Sequence, residues 1–319
     1  MRILAWHVHG SWTTALVQGP HTYLLPVTPD RGPDGRGRAR TWDWPANAVE
    51  VAADDLRDTA FDVVLLQRPE ELDLVQRWTG RRPGRDVPAV YVEHDAPRGG
   101  ASDSVHPLAD QDAVPVVHVT QFNRTYWDTG RARSLVLDHG VLDPGYRYTG
   151  ASESVAVVVN DPVRRHRVAG TDLVLGLAAE LPVAVYGMGV DRLRGDGLDL
   201  FEDLPQARMH DLLPAHRLYF HPYRWTSLGL SLIEAMLLGM PVLGLPATAA
   251  PEAVPAAAGV LSSDPDVLLA TARRWLSDPE EARTRGLAAR EHALERFGID
   301  RFLDDLDAIL ASVVQEVTA

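Results

Sequence analysis

Residues 221–244 read HPYRWTSLGLSLIEAMLLGMPVLG. A short apolar strand at 217–220 leads into this stretch, a Ser/Gly turn opens a helix, and a second strand at 241–244 follows at once. Glu234 stands inside the helix with Leu232, Ile233, Ala235, Met236, Leu237 and Leu238 around it. Such neighbours place much of the helix in a core, and a buried carboxylate needs a partner. One natural partner is a pair of ligand hydroxyls, since a carboxylate accepts two hydrogen bonds at once.

The same alternation extends both ways. In the first half, apolar runs occur at 3–8, 23–27, 62–66, 89–92, 114–119 and 135–137, several of them short and Val-rich, as buried parallel strands are. Polar amphipathic segments at 49–59, 70–78 and 121–129 separate them. In the second half, strands are expected at 155–159, 183–186, 218–220, 242–245 and 259–261, with helices at 171–181, 206–213 and 228–238. This is a βαβ rhythm twice over, so the fold class is α/β with two Rossmann-like, doubly wound domains. The break falls in the Pro/Gly/Ser-bearing stretch 143–154. The chain ends in helices that start at Asp264-Pro265, Pro279 and Ile299. Residues 30–40 (DRGPDGRGRAR) read as a mobile loop.

The block around Glu234 resembles the donor-binding element of the retaining, GT-B-fold group 1 glycosyltransferases. Ser227-Leu228-Gly229-Leu230, Glu234-Ala235-Met236, Gly239 and Pro241-Val242 carry the resemblance. It implies that the two domains face each other across a cleft and that the C-terminal helices cross back to the N-terminal domain. The implied divisions are 1–147 (acceptor side), 148–298 (nucleotide-sugar binding) and 299–319 (returning helix). It implies that Glu234 holds the ribose hydroxyls. The N–H groups of the turn 227–230 would face the diphosphate at a helix N-terminus, where orphan donors and the helix dipole favour an anion. The family's first Glu lies eight residues before its second; here that position is Thr226. A hydroxyl exchanges hydrogen bonds with a sugar but cannot stabilise developing positive charge as a carboxylate does.

Residues 155–172 (VAVVVNDPVRRHRVAGTD) correspond to the family's other donor element, with Asn160-Asp161-Pro162 in place of its Gly-Arg-Leu. Arg164, Arg165 and Arg167 fill a loop at a strand end, where they would sit beside the diphosphate and offset leaving-group charge. All 31 basic residues are arginine, so any cationic clamp must be a guanidinium. In the first domain, His7-Val8-His9-Gly10 follows the first strand, and Gly10 matches one glycine of the family's phosphate turn. Two alternate histidines are a poor basis for a metal site. His94, at another strand end, takes the position of a family histidine that contacts the sugar or the acceptor. With Thr226 it forms the expected catalytic set. Glu93 and Asp95 beside it receive no assigned role. Asp138-His139-Gly140-Val141 resembles the family's turn before the linker, Gly187-Met188-Gly189 its strand end near the base, and Glu252 is structural.

The resemblance implies sugar transfer from a nucleoside-diphosphate sugar to an acceptor hydroxyl with retention, needing neither cofactor nor metal. The acceptor class stays open among small molecules, glycans and lipids. The competing reading is a degenerate GT-B protein that binds a nucleotide sugar without transfer; a GT-B sugar-nucleotide epimerase is less favoured. A net charge of −13 argues against a general nucleic-acid or anionic-membrane surface. There are no cysteines, no membrane-spanning run and no signal-peptide pattern, which together read as a cytoplasmic protein.

Overall fold

The computed structural model describes residues 1–99 and 102–318. The chain divides into two compact units. Residues 1–141 and the segment from Ile299 onward form the first, and residues 142–298 form the second.

The first unit runs β1 (Arg2–Ala5), α1 (Gly10–Leu16), β2 (Thr22–Val27), β3 (Ala48–Ala52), β4 (Val63–Leu66), α2 (Glu70–Thr79), β5 (Ala89–Glu93), β6 (Val116–His118), α3 (Gln121–Tyr126) and β7 (Ser134–Val136). Among the described residues these strands form one seven-stranded sheet in the order β3-β2-β1-β4-β5-β6-β7, with every pairing parallel. Leu4, Leu24, Val64, Leu66, Ala89, Tyr91 and Val116 fill one core face of it.

The second unit runs β8 (Ser152–Val158), α4 (Pro162–Ala169), α5 (Thr171–Ala178), β9 (Val183–Gly187), β10 (Leu198–Glu202), α6 (Gln206–Leu212), β11 (His216–His221), α7 (Leu230–Leu238), β12 (Val242–Gly244), α8 (Ala250–Ala253), β13 (Gly259–Leu261), α9 (Pro265–Ser277) and α10 (Pro279–Phe297). Its six-stranded parallel sheet has the order β10-β9-β8-β11-β12-β13. Asp264 caps α9 by accepting from the Asp266 N–H, and Asp278 caps α10 by accepting from the Glu280 and Glu281 N–H groups. The last helix, α11 (Ile299–Thr318), belongs to the first unit. There Phe302 is fully buried against Trp12, and Arg301 donates to the carbonyls of Asp138 and His139.

Two strands are absent from the sequence reading. β3 and β10 lie at sheet edges and are half exposed, so they lack the apolar run that marks a buried parallel strand. The segment at 49–59, read as a polar separator, is largely β3 and a 3-10 turn. Residues 164–167 are not a loop: they lie on α4, which is kinked at His166 (φ 26°). Nor is 30–40 loosely held. Arg31 forms a bidentate pair with Glu50, Trp6 Nε1 donates to the Asp34 carbonyl, and the Arg38 guanidinium donates to the carbonyls of Trp44, Pro45 and Ala48. Arginine's fixed fork of donors ties this segment where glycine and proline alone would have left it loose.

Burial keeps several histidines uncharged. His118 on β6 is fully buried, and burial lowers its pKa to about 3, with His106 and Arg124 adding in the same direction. The folded chain then binds fewer protons there than the unfolded chain, so this contribution to stability is intact above the unfolded value and is lost as pH falls toward the folded one. The His118→Leu variant should lose about 2 kcal/mol less stability than wild type between about pH 7 and 5, read from urea unfolding at each pH.

Candidate functional site

In both sheets the strand order reverses once, between β1 and β4 in the first and between β8 and β11 in the second. Loops leaving the carboxyl ends of such neighbours diverge to opposite faces and open a crevice for ligand. The residues singled out from the sequence gather at these two places.

In the second unit, the segment after β11 carries Tyr223, Arg224, Thr226, Ser227, Leu228 and Gly229 into α7. Ser227 and Leu228 are buried, while Thr226, Gly229 and Leu230 are half-buried. Gly229 is the N-cap of α7, and a Cβ there would stand 3.3 Å from the His221 ring. His221 is buried, held neutral by burial with its pKa lowered to about 4, and its Nδ1 has no hydrogen-bond partner.

Glu234, one and a half turns into α7, is 3% exposed. Two side chains from α6 meet it. Gln206 Nε2 donates to Oε1 at 2.7 Å, and His210 Nε2 lies 3.3 Å from Oε2, within ion-pair range but without hydrogen-bond alignment. The buried carboxylate thus has partners within the protein. Neither partner was anticipated, although Gln206 and His210 stand four residues apart on an expected helix, and that spacing puts them on one face.

The arginine segment after β8 is built into a network. Arg164 pairs with Asp161 at 2.7 Å, Arg167 with Asp172 at 2.8 Å, and the Arg165 guanidinium lies 5.3 Å from the Tyr223 ring centroid. Arg224, from the β11 segment, grips Asp172 with two bonds of 2.6 and 2.8 Å and holds that carboxyl below its usual range. Gly170 closes the approach of the two loops: its φ is 71°, and a Cβ would meet the Pro222 carbonyl oxygen at 2.0 Å. Arg224 is therefore a further cation of this place that the sequence reading passed over. Met188 N–H donates to Asn160 Oδ1 at 2.9 Å, which joins the Gly187-Met188-Gly189 turn to the same loop.

In the first unit, the loop after β1 holds His7, His9 and Gly10. His7 Nδ1 meets the Gly37 carbonyl at 3.2 Å and its ring packs edge-on to Trp44, whereas the His9 ring lies tilted against His94 at 4.4 Å. The Trp42 ring covers Gly10 so closely that a Cβ would stand 2.3 Å from it. His94 follows β5, packs edge-on to Trp12 and bonds Gln67 Oε1 through Nε2 at 3.0 Å. Burial, then the neighbouring His9 and His139, hold its pKa well below the usual histidine value. His139, read as a turn former, is buried in the same cluster, with its pKa lowered to about 3.

A cavity of about 630 Å³ opens beside these residues, lined by His9, Gln67, Arg68, Glu93, His94 and Trp127 among others. Glu93 is fixed at its edge. Its Oε1 accepts the Asp95 N–H, and its Oε2 accepts from His106 Nε2, whose Nδ1 in turn accepts the Leu108 N–H. Among the described residues no cluster of three or more potential ligands could hold a metal ion, and no helix is long and apolar enough to cross a membrane.

This architecture, two Rossmann-like parallel sheets each with one order reversal, is the GT-B fold. Sucrose-phosphate synthase from Thermosynechococcus elongatus matches it with a TM-score of 0.73 at 13% identity, over 99% of this chain and 100% of that one. HepE of Anabaena, solved with UDP, gives 0.69 at 17% identity over 98% and 100%. AviGT4, a glycosyltransferase of avilamycin A biosynthesis, gives 0.64 at 15% over 99% and 98%. In sequence, residues 192–292 match the family of glycosyl transferases group 1, which confirms the resemblance over the segment that holds Gln206, Thr226–Leu230 and Glu234. The arginine segment and the first unit lie outside that match. No curated protein matches the chain.

Removing Gln206 leaves the buried Glu234 carboxylate short of its best donor, a loss that costs on the order of 1–3 kcal/mol. In the absence of ligand, Gln206→Ala should lower the urea unfolding free energy by about that amount at neutral pH.

Proposed function

We propose that this protein is a retaining glycosyltransferase that uses a nucleoside-diphosphate sugar and needs no divalent metal. The observation that carries the reading is the pairing of Glu234 with the Gly229 turn at the order reversal of the second sheet, inside the segment that matches group 1 glycosyl transferases. In this reading Glu234 accepts hydrogen bonds from the two ribose hydroxyls. The N–H groups around 227–230 face the diphosphate at the start of α7. Arg164, Arg165, Arg167 and Arg224 supply its counter-charge, with the phosphate oxygens competing against Asp161 and Asp172 for these guanidinium groups. A cation set of this kind performs the neutralisation for which other enzymes use a metal.

The reaction breaks the bond between the anomeric carbon and the β-phosphate oxygen. It forms a bond from that carbon to the acceptor oxygen on the same sugar face. The acceptor hydroxyl proton passes to the departing phosphate. The acceptor would be held by the first unit, whose cavity beside His94 is of ligand size. His94 is held neutral there, so it can serve a hydroxyl as a hydrogen-bond partner and not as a fixed charge. Thr226 would touch the transferred sugar.

One feature favours the second reading, a protein that binds a nucleotide sugar without transferring it. Thr226 stands where the family has a carboxylate, so the group that would stabilise the developing positive charge is missing.

A thermal-shift screen against UDP, GDP, dTDP and ADP, each with and without EDTA, tests the donor site. Binding to the native state alone raises the apparent melting temperature by mass action. One nucleotide should raise it, EDTA should leave the shift intact, and Glu234→Ala should abolish it. No shift with any of the four would sink the donor-site reading.

A further inference from the structure

Three residues stand in one structural position in the first unit. Trp6, Gln67 and His94 are each the first residue beyond a strand, after β1, β4 and β5, and those strands are neighbours in the sheet. Their polar groups are linked in a row across the order reversal. Gln67 Nε2 donates to the Trp6 carbonyl at 2.8 Å, and Gln67 Oε1 meets His94 Nε2 at 3.0 Å.

The row has a direction. The Trp6 carbonyl can only accept, so the Gln67 amide must turn its NH2 toward it. Flipping the amide would set two oxygens against each other at a residue that is only 5% exposed. The orientation is reinforced from behind. The Gln67 backbone N–H donates to Glu71 Oε2 at 2.7 Å, and Arg68 Nε donates to Glu71 Oε1 at 2.8 Å. With its NH2 engaged, Gln67 offers His94 an oxygen. A neutral imidazole can bond that oxygen only through Nε2–H, which makes Nδ1 the acceptor nitrogen.

The ring is also held against reorientation. Trp12 meets it edge-on at 4.8 Å, and the His9 ring lies at 4.4 Å. Among the described residues, His9, His139, Trp12 and Gln67 face His94. None of them is an anion that would favour a charged imidazole. His94 and Gln67 both line the cavity of the first unit.

We propose that Gln67 is a positioning residue that locks His94 as its Nε2–H tautomer, so that the site presents Nδ1 as a hydrogen-bond acceptor to a ligand hydroxyl. A phosphate oxygen or an ether oxygen has no hydrogen to offer at that point, so the lock sets which part of a ligand is read there. The identity of the ligand rests on the function proposed above. The tautomer itself does not, and it is measurable without any ligand.

The experiment is 15N–1H correlation NMR of the imidazole groups in the full-length protein, with the His94 resonances assigned by their loss in His94→Gln. In wild type, His94 Nε2 should carry the proton and Nδ1 should appear at the far-downfield position of an unprotonated nitrogen. In Gln67→Leu, which removes the acceptor, the two ring nitrogens should move toward averaged shifts as both tautomers populate. A wild-type His94 protonated on Nδ1, or a Gln67→Leu spectrum with the wild-type tautomer intact, would overturn the proposal. The wild-type spectrum decides it even where a variant does not fold. A failed nucleotide screen together with the expected tautomer would remove the donor reading and leave the lock standing.

Discussion

Everything that concerns function in this chain hangs on one topological constraint, the single reversal of strand order in each parallel sheet. Parallel strands must be joined by crossovers, and a sheet that grows first one way and then the other sends two neighbouring loops apart. In the first unit these are the loops after β1 and β4, and in the second the loops after β8 and β11. Polar side chains can collect there because the diverging loops leave a crevice at the strand carboxyl ends. Gln67 spans the first gap and bonds the backbone of the neighbouring loop. Arg224 spans the second with its paired bonds to Asp172.

The electrostatics follow from a chain that has arginine and no lysine. Guanidinium groups stay charged at any ordinary pH and engage carboxylates with geometry as well as charge. In the second unit they are therefore already paired, Arg164 with Asp161 and both Arg167 and Arg224 with Asp172. In the proposed function, a ligand anion would meet an ordered cluster whose guanidinium groups are set before it arrives. In the first unit, beside pairs such as Arg31–Glu50 and Arg68–Glu71, burial drives His94, His118 and His139 toward the neutral form.

Glu71 shows what ordering such loops requires. Its carboxyl is fully buried, and burial pushes its pKa up to about 7 even though it accepts bonds from the Gln67 and Arg68 N–H groups and from the Arg68 side chain. Loss of hydration opposes the charge, and the hydrogen bonds recover only part of it. The return is a turn after β4 whose backbone is fixed from inside, which lets Gln67 hold one orientation.

The sequence by itself determined the α/β class, the two doubly wound domains and the likeness of the segment around Glu234 to group 1 glycosyl transferases. Those features rest on period and on local order: Val-rich runs of strand length, a helix with one acidic residue, and helix starts at Asp264-Pro265 and Pro279. They are written in neighbouring residues and can be read there. The edge strands β3 and β10 were not legible, because one-sided burial removes the apolar run. The arginines of α4 read as a loop because their helix is short and kinked at His166. Tertiary structure alone decided which polar groups meet. Gln206 reaches Glu234 across 28 residues, Arg224 reaches Asp172 across 52, and Gln67 joins Trp6 to His94 across separations of 61 and 27. Such partners are chosen by strand order in the sheet, and no local pattern in the chain records that order.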